Sequence, residues 1–146
     1  GREGLTLRDK WQREGTKTFL GLHSEGFPNL FIVSGPQGGG GSFNFTNAIE
    51  EHGDYVVWML STMRDKGADV VDVKSEPEEE YAAHCRQADQ LTRPLRDCIT
   101  YYNGHGEAEP GSLAYYGGGN WHKFRSRAQQ TLDPYEFESR SHIVDR

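Results

Sequence analysis

The chain has 146 residues, 34% of them hydrophobic, and a formal net charge of -6, which fits one domain, or one piece of a larger one, with a modest core of its own. Its basic residues are scattered among acids and form no phosphate-tracking stripe, so nucleic acid is not an expected partner. No apolar run approaches the roughly 18 residues of a membrane span and no secretory pattern opens the chain, so the expectation is a soluble, cytoplasmic protein.

The opening "GREGLTLRDKW" begins inside a patterned segment without an initiator Met, and a fragment of a longer chain is expected. Residues 5–11 and 18–22 have short alternating or apolar patterns separated by "REGTK", which predicts two strands or a loose hairpin. "EGFPN" punctuates the chain before residues 30–34, a continuous apolar run with β-branched members. That run predicts a buried strand.

Glycine is over-represented, 18 of 146 residues against a usual share of about 7%, and the excess lies in two clusters, residues 38–41 and 117–119. After the first cluster, Ala48, His52, Tyr55, Val56, Met59 and Met63 recur at helical spacing. Asn47 with Glu50 resembles a capping box, and Arg64 and Lys66 precede Gly67 as a stop signal. A short strand follows over residues 69–73. Ser75 with Glu78 forms a second capping pair, Pro77 sits in the first turn where proline is tolerated, and Tyr81, Cys85, Ala88 and Thr92 share one face, predicting a helix to about residue 92. The remainder alternates aromatic, strand-like pieces with turns and one short helix after Trp121.

Several motif readings of the glycine run fail. No Lys-Ser or Lys-Thr pair follows the glycines, so it is not a phosphate-binding P-loop. A dinucleotide fingerprint demands a tight turn between strand and helix, and a nucleophile elbow demands a glycine two residues after Ser42, where the chain has Asn44. What survives is a run of bare backbone that leads into a helix N-terminus, where free N–H groups and positive partial charge suit an electron-rich ring with carbonyl oxygens, such as a flavin pyrimidine. A surface loop is the plainer alternative, and the flanking aromatics Phe43 and Phe45 weigh against it.

The six histidines show no H-E-x-x-H and no closely spaced Cys/His set, so no metal site is expected. Cys85 and Cys98 form no C-x-x-C, as suits a reducing compartment. The run "EPEEE", residues 76–80, reads as a solvated acidic cap on a helix and not as a catalytic carboxylate pair. "YYNG" and "YYGGG" fit aromatic packing around turns as well as they fit ligand contact.

Taken in order, "GREGLTLRDKW", "TFLGLHSEGFPNLFIVSGPQGGGGSFNFTNAIEEHGDYVVW" and "DCITYYNGHG...AYYGGGNWHKFR" resemble the C-terminal part of Baeyer-Villiger monooxygenases, within the flavin monooxygenase class. "YYNG" with "YGGG" is more similar to the members acting on large cyclic ketones and steroids. The resemblance implies an α/β fold in which residues 1–137 are the C-terminal portion of a Rossmann-like FAD-binding domain and residues 138–146 a tail. It implies FAD and NADPH as cofactors, a ketone and O2 as substrates, and the N-terminal part of the same enzyme as partner.

By position, Gly35 and Pro36 resemble the strand end beside the flavin. Asn44, Phe45 and Thr46 resemble the segment whose helix N-terminus faces the pyrimidine edge. Gly40, Gly41, Ser42 and Phe43 resemble the bulge lining the substrate pocket. Tyr101 matches a position near the nicotinamide ribose where many members have Trp. The family's G-x-G-x-x-G motifs, its fingerprint and its active-site arginine do not occur here and are expected upstream, so no catalytic residue is assigned. The chain alone is expected to be inactive and poorly ordered. An N- or S-oxygenating flavin monooxygenase and a small non-enzymatic α+β interaction module are the alternatives.

Overall fold

The structure is a computed structural model and describes residues 1–38, 44–89 and 120–139. After a 3-10 turn at Arg2–Gly4 come the helices and strands α1 (Leu7–Glu14), α2 (Phe45–Lys66), β1 (Val70–Val73), α3 (Ser75–Asp89), α4 (Asn120–Thr131) and β2 (Tyr135–Glu138). The α/β class is as expected. Among the described residues the sheet is a two-stranded antiparallel ribbon, with Val71 opposite Phe137 and Val73 opposite Tyr135.

Three segments differ from the sequence-based expectation. Residues 7–14 are a helix rather than a strand. Thr6 accepts a hydrogen bond from the Asp9 amide at 3.1 Å and donates its hydroxyl to the Asp9 carboxylate at 2.7 Å. Thr6 is thus the N-cap, and the Asp9 carboxylate binds its hydroxyl, where a full capping box would have that carboxylate accept the Thr6 amide. Residues 18–22 form a tight reversal: Leu20 and Gly21 both have positive φ, 60° and 70°, and Phe19 and His23 exchange both backbone hydrogen bonds across it.

Residues 30–34 are not a strand either. A ladder needs one neighbour, yet the Leu30, Ile32 and Ser34 amides go to three different places: the Phe27 carbonyl, the Leu22 carbonyl and the His52 ring. Left-handed residues Asn29 and Ser34 bracket the run, and it is half-buried, with Val33 48% exposed.

The long helix is as expected, but its cap lies three residues earlier. Asn44 is the N-cap and accepts from the Thr46 amide at 3.0 Å and the Thr46 hydroxyl at 2.6 Å. At the other end Gly67 takes φ 63° and its amide bonds to the Arg64 carbonyl, while Ala68 bonds back to Met63, a Schellman-type closure. One face of α2 buries His52, Tyr55, Met59 and Met63. Another side shows Phe45, Ile49, Val57 and Leu60 to solvent.

The core gathers Tyr55, Met59 and Met63 of α2 with Phe19, Leu20, Leu22, Val71, Val73, Tyr81, Cys85, Trp121, Ala128 and Tyr135. Phe19 meets Tyr81 and Tyr135 edge-on at 5.8 and 5.9 Å, a favourable arrangement of ring quadrupoles.

The acidic run on α3 is only partly the solvated cap read from the sequence. Glu78 points inward and is 2% exposed. Its carboxylate meets the equally buried Lys10 ammonium of α1 at 2.8 Å and accepts the Glu25 amide at 3.0 Å. Lys10 also reaches the Ser24 hydroxyl and the Glu25 carbonyl. A fully dehydrated ammonium needs that many acceptors.

Candidate functional site

The turn at residues 34–38 and the head of α2 lie against each other, and their side chains explain why. Gln37 is fully buried with φ 64°. Its side-chain oxygen accepts from the Thr18 amide at 2.9 Å and its carbonyl accepts from the Tyr81 hydroxyl at 2.7 Å. Thr18 also donates to the Pro36 carbonyl at 2.8 Å. Gly35 is needed for space: a Cβ there would lie 2.5 Å from the Gly21 carbonyl oxygen.

His52, 1% exposed, joins the turn to α2 through the Ser34 amide and the Gly38 carbonyl. Burial lowers its pKa, opposed in part by the Gly38 hydrogen bond, so the ring is neutral at pH 7.

A cleft of about 150 Å³ opens beside this contact, lined by Gly38, Asn47, Ala48, Glu51, His52, Trp121 and His122. Trp121 is fixed by an indole hydrogen bond to the Leu20 carbonyl at 2.9 Å. Arg125 lies over its ring at 5.4 Å and pairs with Glu51, so one wall is aromatic and its rim is charged.

Of the residues assigned from the sequence, Gly35 and Pro36 stand in the half-buried part of the turn, and Asn44, Phe45 and Thr46 form the exposed head of α2. Gly40, Gly41, Ser42, Phe43 and Tyr101 lie outside the described residues, as do Cys98 and the "YYNG" and "YYGGG" motifs. Sequence reasoning missed Gln37 as a participant and read His52 only as a helix-face residue. The available signal was a histidine on an otherwise apolar stripe, which must find polar partners when buried. Among the described residues no group of three or more His, Cys, Asp or Glu side chains could hold a metal ion, and no helix is long and apolar enough to cross a membrane.

No family model matches the chain. A Baeyer-Villiger monooxygenase of Streptomyces coelicolor is 33% identical to it over 138 residues, which is 91% of this chain and 23% of that protein. The chain belongs to the Baeyer-Villiger monooxygenase family. Among solved structures, the polycyclic ketone monooxygenase from the thermophilic fungus Thermothelomyces thermophila superposes with a TM-score of 0.78 at 27% identity, covering 96% of this chain and 24% of that one. A crystal structure of OTEMO in complex with FAD and NADP shares the fold, with a TM-score of 0.76 at 24% identity over 94% of this chain and 26% of that one. The chain thus spans about a quarter of the length of these proteins.

Proposed function

We propose that this chain is the C-terminal portion of the FAD-binding domain of an NADPH- and FAD-dependent Baeyer-Villiger monooxygenase. That enzyme inserts one oxygen atom of O2 beside a ketone carbonyl to give an ester or lactone. The observation that carries the reading is 33% identity across 91% of the chain to a monooxygenase of this type. The polycyclic ketone monooxygenase, similar over 96% of the chain, and a cyclopentanone 1,2-monooxygenase 32% identical over 80 residues support a cyclic ketone as the substrate class.

The residues present suit a flat, electron-rich group. At the head of α2, Asn44, Phe45, Thr46 and Asn47 are all exposed, and helix N-termini favour negatively polarised oxygens. The turn beside it is bare at Gly38, where a Cβ would meet the Gly35 oxygen at 2.8 Å and the His52 ring at 3.0 Å. Asn44, Phe45 and Thr46 would hold the flavin's pyrimidine edge, Gly35 and Pro36 would lie beside it, and Tyr101 would stand near the nicotinamide. Gly40, Gly41, Ser42 and Phe43 would line the ketone pocket. When bound, the flavin and NADPH supply the redox chemistry; the protein orients them and excludes water.

The apolar side of α2 supports a larger assembly, because Phe45, Ile49, Val57 and Leu60 are exposed where a helix packed between two layers would bury them. The partner in this reading is the N-terminal part of the same enzyme.

The deciding experiment records the flavin spectrum and ketone-dependent NADPH oxidation for this chain alone and for the longer polypeptide encoded with it. Flavin-bound, ketone-dependent turnover only in the longer protein is expected. Oxidation of amines or sulfides but no ketone would replace the reading with an N- or S-oxygenating enzyme. Stoichiometric flavin and turnover in this chain alone would overturn the division of labour.

A further inference from the structure

His52 is the one side chain of α2 that holds both ends of the turn leading into the glycine run. Its Nδ1 accepts the Ser34 amide at 2.9 Å, and its Nε2 lies 3.1 Å from the Gly38 carbonyl oxygen. An amide can only donate and a carbonyl can only accept, so the pair admits one protonation state: a neutral ring with its proton on Nε2. The ring is also stacked on Trp121, 5.4 Å between centroids and tilted 30°. It therefore has one allowed position, and Ser34 and Gly38 inherit it.

The rest of the turn has no freedom to drift independently. The Gly38 amide closes onto the Gly35 carbonyl at 3.0 Å, and Gln37 is anchored to Thr18 and Tyr81. Gly38 forms one wall of the cleft, Trp121 another, and His52 lies between them. Small shifts of the imidazole would move the Gly38 wall directly.

We propose that His52 is a positioning residue that sets the width of this cleft, and through it the size of ketone the site accepts. The inference rests on the Baeyer-Villiger reading above, and takes the cleft as part of the ketone site because Asn47 and Ala48, next to the residues assigned to the flavin edge, line it; the clamp itself can be tested without that reading.

The test uses the longer enzyme carrying His52→Phe, which keeps a ring against Trp121 and removes both hydrogen bonds, and His52→Gln, whose amide offers an acceptor and a donor on adjacent atoms. Flavin content and kcat/KM are measured on a polycyclic and a single-ring ketone. His52→Phe is expected to lower kcat/KM on the polycyclic ketone about tenfold, mainly through KM, with a loss of under about threefold on the small ring and unchanged flavin content. His52→Gln should recover most of that loss. Equal losses on both ketones, or no rescue by Gln, would overturn the proposal. If the longer protein oxidises no ketone at all, the functional reading fails, and 15N labelling of histidine still decides the clamp. An Nε2–H tautomer with slow Ser34 amide exchange that is lost in His52→Phe supports it, and an Nδ1–H or charged ring sinks it.

Discussion

Removing the Glu78 carboxylate tests how much of this fold depends on a buried ion pair. Lys10 is 1% and Glu78 2% exposed, and their charged atoms are 2.8 Å apart. Burial raises the Glu78 pKa even though the Lys10 ammonium pulls it down, which means that desolvation outweighs the attraction. Such a pair adds little net stability but is costly to break from one side. Glu78→Ala strands the ammonium and also deprives the Glu25 amide of its acceptor. A one-sided loss costs about 3 to 5 kcal/mol. Lys10 keeps the Ser24 hydroxyl, the Glu25 carbonyl and the partly exposed Glu25 carboxylate at 3.3 Å, so the lower end, about 3 kcal/mol, is expected. For a chain of this size that is a fall in Tm of roughly 10 °C. The double variant Lys10→Met/Glu78→Leu should return to within about 1 kcal/mol of the parent, because it leaves no orphaned charge. Urea titration followed by tryptophan fluorescence, run on the parent, Lys10→Met, Glu78→Leu and the double, gives the coupling directly. If the double variant is as unstable as the sum of the singles, the ion-pair argument is wrong.

Three further outcomes follow from the same core. Burial among Phe31, Tyr55 and Tyr135 lowers the His23 pKa to about 3. The unfolded chain therefore takes up a proton that the native state refuses, and stability should fall by up to about 1.4 kcal/mol per pH unit as pH drops from about 6.5 towards 3. Urea midpoints at several pH values should show that slope shrink in His23→Phe; an unchanged slope would assign the acid sensitivity elsewhere. Gly21 has φ 70° and its Cβ would lie 2.0 Å from the Gly38 Cα, so Gly21→Ala should cost about 3 kcal/mol or more. Gly4→Ala, with φ 77° but open space, should cost only about 1 kcal/mol, and equal melting shifts would refute the clash. Tyr55 and Tyr135 share a buried hydroxyl hydrogen bond of 2.5 Å. Tyr135→Phe should cost about 1 to 3 kcal/mol by orphaning one hydroxyl, with the double Phe variant closer to the parent in thermal melts.

The sequence by itself determined the features that local chemistry encodes. Periodicity marked α2 and α3, Gly67 marked the end of α2, residues 69–73 were read as a strand, and the aromatic stretch near the C-terminus gave the short helix after Trp121. The ordered motifs carried the family. Tertiary structure decided what depends on partners distant in sequence. Residues 30–34 look like a buried strand, but their amides are claimed by Phe27, Leu22 and His52. Residues 5–11, expected as a strand, are a different case: the Thr6–Asp9 cap that starts the helix at residue 7 is local and legible in the sequence itself. Glu78 is one of several acids on α3, and it turns inward because Lys10, 68 residues away, lies there. His52 is one of several core-facing residues of α2, and it becomes the joint between helix and turn because Ser34 presents an amide and Gly38 a carbonyl at the spacing of the imidazole nitrogens. A one-dimensional pattern records that a side chain faces inward; which polar atom waits there is fixed only when remote segments pack, since a buried charge or amide must find its partner wherever the chain brings one.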